Sequence, residues 1–303
     1  MEFSLMTEPH LGGSYDQQLA AARWAEEEGL VSFARCDHYL SSSDPTPDAT
    51  DAFAVLAGLA RETSTVRLCV LVTPITFRHP AVIVKNATTI DQMSGGRLDL
   101  GIGTGWMELE HHALGIPFPD WGERWSRFEE ALDYLDAAFG GGHASFQGEH
   151  YSLDADVKPK PTGIRTIIGG GGKKRTPTLA GARADEYNTF ICLPEAAKER
   201  ITVMREAARD RAVEATVMGP ALVGRTDAEY QERLSRAAAK RDMSPGDLEM
   251  RYADNGIILG TPDRVAESVA ALEDAGVERI YVQWLDLEDL DGMKETVAIV
   301  RGG

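Results

Sequence analysis

The chain has 303 residues, of which 43% are hydrophobic, and a formal net charge of −17. One α/β barrel needs about 250 residues before insertions, so the length fits one large domain as well as two small ones. The negative net charge and the absence of a basic stretch argue against a nucleic-acid partner. No apolar run reaches the ~20 residues of a membrane span, and no export signal is visible at the N-terminus.

Strand-like and helix-like segments alternate from one end of the chain to the other. Ser14 and Gln17 predict a capping box at the start of the first helix, and Gly29 predicts its end. The eight predicted strands cover residues 3–6, 30–36, 66–73, 97–102, 166–168, 186–190, 218–223 and 279–284. Because each strand is paired with a helix, the pattern predicts an α/β fold, a (β/α)₈ TIM barrel, as a single domain over residues 1–303. An open doubly wound sheet is the structural alternative.

Two segments predict insertions into this regular alternation. Residues 140–142 and 147–156 are expected to form an inserted loop or hairpin, and residues 237–250 an insertion before the final strand–helix unit. After that insertion, Thr261 and Pro262 predict the start of a helix that ends at Gly276. In an α/β barrel the catalytic residues come from the C-terminal ends of the strands, so these ends are the places to look for a site.

The second predicted strand ends in Asp37-His38-Tyr39. A histidine in a pocket can exchange a proton near neutral pH, which makes His38 a candidate catalytic residue. The neighbouring Asp37 is a candidate to orient the ring or to accept a hydrogen bond from a cofactor. The alternative interpretation is a structural histidine at a strand-to-loop junction.

The next two strand ends offer a hydroxyl group and a run of glycines. Thr73 ends the third predicted strand, where it either faces the barrel mouth or belongs to a simple turn. The fourth strand runs into Thr104, Gly105 and Trp106, and its repeated glycines allow a ligand to approach the backbone closely. Their spacing is not the dinucleotide-binding fingerprint, and a tight turn is the alternative.

The fifth predicted strand is followed by four glycines, two lysines, an arginine and a threonine over residues 169–176. Consecutive glycines expose backbone N–H groups, and the helix that follows adds its positive N-terminal end. Three cationic side chains in an otherwise acidic chain strengthen the prediction of a phosphate site. Because Lys173 is followed by another lysine, the loop is not a Walker A motif. A solvated flexible loop is the alternative.

The cysteines and the paired histidines give no metal-binding pattern. Cys36, Cys69 and Cys192 are isolated in sequence, and His111 and His112 have no third ligand at a supporting spacing. We therefore expect no metal site. Isolated thiols are typical of small buried side chains in a reducing compartment, so a cytoplasmic protein is expected.

Taken together, these motifs resemble those of the luciferase-like monooxygenase (bacterial luciferase-like) superfamily over nearly the whole chain. The motifs that carry the resemblance are Asp37-His38, residues 72–80, residues 94–106, and residues 169–175 followed by 184–188. They look most like the branch of the superfamily that uses the deazaflavin coenzyme F420 rather than FMN.

The resemblance implies that a deazaflavin ring lies across the barrel mouth, backed by a bulge with a non-prolyl cis peptide within residues 70–73. His38 matches the family's catalytic histidine, which exchanges a proton with the substrate while a hydride moves to or from the cofactor. The cofactor-binding residues that the resemblance implies are Asp37, Thr73, Thr104, Gly105, Trp106, Gly170, Gly171, Gly172, Lys174, Arg175 and Thr176.

One position departs from the pattern of the sugar-phosphate dehydrogenases in this superfamily. They carry a glutamate as a second acid/base at the position of Trp106, and an indole cannot transfer protons there. This departure favours a larger, more apolar substrate. Glu108 and Glu110 lie close in sequence, but neither is assigned a role. Relatives are often dimers through their early helices, so a homodimer is expected.

The expected function is that of an F420-dependent oxidoreductase acting on a small alcohol, carbonyl compound or activated alkene. A monooxygenase that uses reduced FMN and oxygen is the alternative on the same fold. A barrel that only binds a flavin would tend to lose its proton-transfer residue, and His38 is present. A phosphosugar barrel would place its phosphate site after the seventh or eighth strand, whereas here the candidate follows the fifth.

Overall fold

The computed structural model describes residues 1–42 and 46–302, and the predicted domain therefore includes positions that lie outside the described residues. The predicted fold class is confirmed, because the parallel strands and their helices form an eight-stranded α/β barrel. The chain forms two compact units. One is Pro9–Ile167, and the other joins Met1–Glu8 to the chain from Ile168 onward.

The helices and strands alternate as the sequence pattern predicts. In chain order the strands are β1 (Glu2–Thr7), β2 (Ser32–Arg35), β3 (Arg67–Pro74), β4 (Leu98–Gly103), β5 (Ala144–Gln147), β6 (Ser152–Ala155), β7 (Arg165–Gly169), β8 (Glu186–Phe190), β9 (Glu214–Val223), β10 (Ile258–Gly260) and β11 (Arg279–Trp284). The helices are α1 (Tyr15–Glu27), α2 (Ala52–Glu62), α3 (Pro80–Ser94), α4 (Glu108–Leu114), α5 (Trp121–Phe139), α6 (Arg175–Arg183), α7 (Pro194–Ala208), α8 (Asp227–Ala239), α9 (Pro245–Asp254), α10 (Pro262–Asp274) and α11 (Leu290–Val300).

Local capping signals in the sequence are realised in the structure. The predicted capping box opens α1, because the Ser14 amide donates to Gln17 Oε1 over 2.8 Å and the Gln17 amide donates back to Ser14 Oγ. Such a box satisfies two N–H groups that a helix start otherwise leaves without partners.

The predicted insertions are confirmed as well. The strands β5 and β6 form an antiparallel hairpin. The helices α8 and α9 precede β10 and share a small buried core of their own.

In the unit Pro9–Ile167, β2, β3 and β4 are parallel neighbours, so their C-terminal ends lie at the same edge of the sheet. The register between β3 and β4 shifts between Val70 and Thr73, which is a bulge in β3. A non-prolyl cis peptide joins Leu71 to Val72 inside this bulge. Both features were expected within residues 70–73, and both are confirmed.

The bulge in β3 leaves no room for a side chain on the strand beside it. A Cβ added at Gly101 of β4 would lie 2.3 Å from the Val70 carbonyl oxygen and 2.9 Å from Val72 Cγ1. We expect Gly101→Ala to lower the free energy of unfolding by about 1–3 kcal/mol, as overpacking of a buried site does. Urea denaturation measures this loss. Gly141→Ala is the control, because a Cβ there meets nothing within 4 Å, and an equal loss in both variants would contradict the explanation.

In the other unit, β8, β9, β11 and β1 are parallel neighbours, and β10 lies beside β9. A buried ion cluster occupies the N-terminal ends of three of these strands. Arg279, at the start of β11, contacts Glu186 of β8 at 2.6 Å and Glu214 of β9 at 2.5 Å. Tyr281 and Thr216 donate further hydrogen bonds to Glu186. The cluster lies at the strand ends opposite to those that carry catalytic residues in this fold.

Within the residues that the structure describes, no helix is both long and apolar enough to cross a membrane.

Candidate active site

Most of the predicted site residues in the unit Pro9–Ile167 come together at the C-terminal ends of β2, β3 and β4. Asp37 and His38 follow β2, and Thr73 lies at the end of β3. Thr104, Gly105 and Trp106 follow β4 and lead directly into α4. The parallel order of the three strands explains why residues far apart in sequence share this edge.

The imidazole of His38 is held by a carboxylate that the sequence analysis left without a role. His38 Nδ1 lies 2.8 Å from Oε1 of Glu110 on α4. Oε2 of the same carboxylate accepts a hydrogen bond from the Tyr39 amide at 2.9 Å, and the Leu40 amide also donates to Glu110. The Glu110 side chain is 1% exposed, whereas that of His38 is 18% exposed. A buried carboxylate therefore fixes a histidine that remains partly accessible.

The contacts of Glu110 keep it ionised. Burial by itself raises the pKa of a carboxyl group, because it penalises the charged form. At Glu110 the hydrogen bond from His38, the attraction of the His38 ring and the backbone N–H groups outweigh burial, so its pKa lies below the usual range. Glu110 is thus an anion behind the imidazole at neutral pH.

A second histidine packs against His38 without carrying charge. The ring centroids of His10 and His38 are 4.9 Å apart, and His10 Nδ1 lies 3.3 Å from Cys36 Sγ. Burial, and then the repulsion from His38, lower the pKa of His10 to about 4, while Glu110 acts in the opposite direction. His10 is therefore neutral at neutral pH.

Trp106 forms an exposed apolar wall next to the catalytic candidate. Its ring meets that of His38 edge to face, with centroids 5.4 Å apart, and 67% of the residue is exposed. Thr104 and Gly105, which precede it, are half-buried, and Gly105 has left-handed backbone geometry (φ +79°). A large accessible indole beside His38 favours the apolar substrate that the sequence predicts at this position.

Asp37 and Thr73 belong to a buried ion-pair network. Both oxygens of Asp37 accept hydrogen bonds from Arg78, at 2.5 and 3.1 Å, and Arg78 also contacts Thr73 Oγ1 at 3.3 Å. Arg78 also contacts Asp51, which caps α2, and the hydroxyl group of Tyr39. Burial opposes the charge of Arg78, but the ion pairs hold its pKa above the usual value. This network ties the end of β2 to the loop after β3, and a contact between Asp37 and a cofactor stays a prediction.

His111 and His112, which the sequence analysis discounted as metal ligands, make other contacts. His111 is buried, with Nε2 at 2.7 Å from Thr76 Oγ1 and Nδ1 at 2.8 Å from the Met107 carbonyl oxygen. His112 is exposed and lies 3.5 Å from Glu108 on the same helix. His111 thus anchors α4 to the loop after β3, while the side chain of His112 points to solvent.

The glycine-rich loop belongs to the other unit and has the donor set that a phosphate group needs. Residues 171–175 are exposed and lead into α6, whose start at Lys174 has no hydrogen bond from a capping side chain. Backbone N–H groups and adjacent cations at a helix start fit an anion. A Cβ at Gly172 would lie 2.7 Å from Oγ1 of the buried Thr176, so a side chain there would have to displace this hydroxyl group. The loop therefore fits the phosphate of a cofactor.

The comparisons with known proteins decide the family. The luciferase-like monooxygenase family matches residues 1–279. The chain belongs to this family. An FMNH(2)-dependent dimethylsulfone monooxygenase from Pseudomonas fluorescens is 25% identical over 242 residues, which cover 70% of this chain and 66% of that protein. An F420-dependent glucose-6-phosphate dehydrogenase from Kineococcus radiotolerans is 34% identical over 165 residues, 54% of this chain and 49% of that protein.

These relatives name two different cofactors, so the family alone leaves the choice between F420 and FMN open. The matches also span less than two thirds of the length of both relatives. Among solved structures, an F420-dependent secondary alcohol dehydrogenase in complex with an F420–acetone adduct has a TM-score of 0.78 at 20% identity and covers 99% of both chains. At this identity the likeness establishes the fold.

Proposed function

We propose that the protein is an F420-dependent oxidoreductase that transfers a hydride between the deazaflavin coenzyme and a small organic substrate. The substrate class is an alcohol or carbonyl compound, or an activated alkene, and His38 is the proton donor or acceptor. The observation that supports this proposal most is the partly exposed His38 ring fixed by the ionised, buried Glu110. A redox cofactor is needed, because side chains alone do not carry hydride chemistry.

When bound, the deazaflavin supplies the centre that accepts or donates the hydride. The chain supplies a phosphate-binding loop at residues 170–176 and a proton-exchanging group at His38. Because Nδ1 of His38 is engaged by Glu110, proton exchange with the substrate oxygen or carbon is assigned to Nε2. In alcohol oxidation, Nε2 takes the hydroxyl proton as the carbon-bound hydrogen leaves as a hydride, and in reduction it returns a proton. The exposed Trp106 ring next to His38 provides an apolar surface for the substrate.

A reduced-FMN monooxygenase is the second candidate. It is favoured by the 25% identity over 242 residues to an FMNH(2)-dependent enzyme. Both candidates use the same fold and a cofactor phosphate, so the geometry of His38 alone does not separate them. Reaction with oxygen separates them, because a deazaflavin forms the oxygen adduct of a flavin only poorly.

A spectral titration with F420 and with FMN tests the choice of cofactor. We expect saturable binding of F420, little binding of FMN, and F420-linked turnover in a screen of alcohols and enones. Turnover of a substrate with reduced FMN and oxygen, without F420 binding, would replace the first candidate by the second. Binding of either cofactor without turnover of any substrate in such a screen would favour a carrier that only holds the coenzyme.

The glycine-rich loop predicts a second measurable effect. We expect Lys174→Ala to weaken F420 binding by about tenfold, because one charge-assisted contact to phosphate contributes roughly 1.5 kcal/mol. The loss should shrink at high salt, which screens exposed charges. Lys198→Ala is the matched control, since Lys198 is an exposed lysine on α7 of the same unit. Equal dissociation constants for both variants and the native protein would remove the loop from the cofactor site.

We further propose that the protein works as a homodimer, as the resemblance to dimeric relatives implies. Light scattering coupled to gel filtration measures its mass against the 33.0 kDa of one chain. A monomer at micromolar concentration would contradict this proposal.

A further inference from the structure

The buried carboxylate of Glu110 contacts the His38 ring and two backbone N–H groups of the loop after β2. We propose that Glu110 is the positioning residue of His38: it holds the imidazole with its proton on Nδ1, so that Nε2 faces the substrate as the proton-exchanging atom, and its charge stabilises the protonated ring. This inference rests on the proposed proton exchange at His38, and it deepens it by assigning the tautomer.

The tautomer follows from the chemistry of the two partners. An ionised carboxylate only accepts hydrogen bonds, so the hydrogen between Glu110 Oε1 and His38 Nδ1, 2.8 Å apart, belongs to the ring. A neutral imidazole carries one N–H, and placing it on Nδ1 leaves Nε2 as the basic atom. The second oxygen of Glu110 accepts a hydrogen bond from the Tyr39 amide, and the carboxylate also accepts one from the Leu40 amide. The carboxylate therefore cannot turn away from the ring without breaking these bonds.

Burial strengthens the electrostatic interaction between the Glu110 carboxylate and the His38 ring. Its side chain is 1% exposed, and an ion pair shielded from water interacts more strongly than an exposed one. A carboxylate this close favours the protonated form of the ring, which is the form His38 reaches after it takes a proton from an alcohol. The position of Glu110 therefore suits a histidine that acts as proton acceptor.

Several other ionisable groups near His38 are neutral or have partners of their own. From the turn before α1, His10 faces the ring in its neutral form. Directly after β2, Cys36 contacts His10, and Asp37 is paired with Arg78. From the β4 side, Trp106 carries no charge. Arg35, on β2, acts on His10 and is bound by Gln18 and Thr50.

A purely structural role for Glu110 is the competing explanation, since its bonds to the Tyr39 and Leu40 amides also pin the loop after β2. The two explanations differ in what they predict for His38. A loop anchor affects stability, whereas a positioning residue sets the tautomer of His38 and the pH at which it titrates. Readouts of tautomer and titration therefore separate them.

The first test is nitrogen NMR of histidine side chains in the native protein, with His38 assigned by comparison with His38→Gln. We expect neutral His38 to carry its proton on Nδ1. In Glu110→Gln we expect the titration of His38 to move to lower pH by about one unit or more, because an opposite charge at this distance is removed. Glu108→Gln, on the exposed side of the same helix, should leave both properties unchanged.

The second test is the pH dependence of kcat/KM for alcohol oxidation with F420. The reaction needs neutral His38, so kcat/KM should rise with pH through the titration of that residue. In Glu110→Gln this rise should begin at lower pH, and kcat on the plateau should fall by about 10²-fold, with F420 binding unchanged. A merely structural residue would leave the position of the rise unchanged.

The inference is overturned if neutral His38 in the native protein carries its proton on Nε2. It is also overturned if His38 titrates at the same pH in Glu110→Gln as in the native protein. The NMR experiment on the native protein decides this even if the variant does not fold. If no F420-linked turnover is found, the proposed function fails on its own, and the tautomer of His38 still tests the role of Glu110.

Discussion

Replacing His38 with alanine is expected to lower F420-linked turnover by about 10²- to 10⁴-fold, the usual contribution of a general acid or base. The loss should appear in kcat, because the ring exchanges a proton during reaction. F420 binding should be almost unchanged, since the phosphate loop is intact. Steady-state kinetics and a cofactor titration on the same preparation measure the two effects.

The control is His112→Ala, which removes an exposed histidine that lies beside Glu108 on the same helix. Its turnover should equal that of the native protein. His38→Gln, which retains a hydrogen-bond donor for Glu110, should be as inactive as His38→Ala but more stable. Unchanged turnover in His38→Ala would remove the role assigned to this residue.

Replacing Arg279 with methionine is expected to lower the free energy of unfolding by about 3–5 kcal/mol, the cost of breaking a buried ion pair from one side. Arg279 and Glu186 are both fully buried. Without the guanidinium, Glu186 and Glu214 would be left as neighbouring carboxylates at the ends of β8 and β9. Chemical denaturation at pH 7 measures the loss, and the loss should shrink as the pH falls and the carboxyl groups become protonated.

A surface ion pair provides the control for Arg279. Arg23 lies 2.7 Å from Glu62 with about half of each side chain exposed, and such pairs contribute roughly 0–1 kcal/mol. Arg23→Met should therefore be nearly neutral. Adding Glu186→Gln to Arg279→Met should recover part of the lost stability, because it removes one of the unpaired charges. Equal losses in Arg279→Met and Arg23→Met would contradict the importance of the buried cluster.

The strands were predictable because their apolar pattern is strong and local. The run at 66–73 became β3, and the strand predicted at 186–190 has the observed bounds of β8. The start of β9 was predicted wrongly, at 218 rather than Glu214. Its first residues include Glu214 and Thr216, polar side chains whose partners, Arg279 and Glu186, lie on other strands. A pattern of local hydrophobicity does not contain such partners.

The site was predictable only in part, for the same reason. His38 could be singled out by its place at a strand end, but its partner Glu110 lies 72 residues away in sequence. The helix pattern was also misleading, because α4 buries the charged Glu110 and exposes the apolar Leu109. A reader of the sequence expects the reverse. Only the three-dimensional contact with the Tyr39 amide and the imidazole explains the inversion.

The two sides of α4 differ in their contacts, and this difference matters for redesign. On the inner side, Glu110 and His111 form hydrogen bonds to neighbouring segments, so mutagenesis there would disturb the proposed proton exchange. Leu109 on the outer side of α4 and Trp106 just before the helix are both exposed. A library aimed at new substrates would therefore vary positions 106 and 109 and keep 110 and 111 fixed, altering which molecules enter while preserving the chemistry they meet.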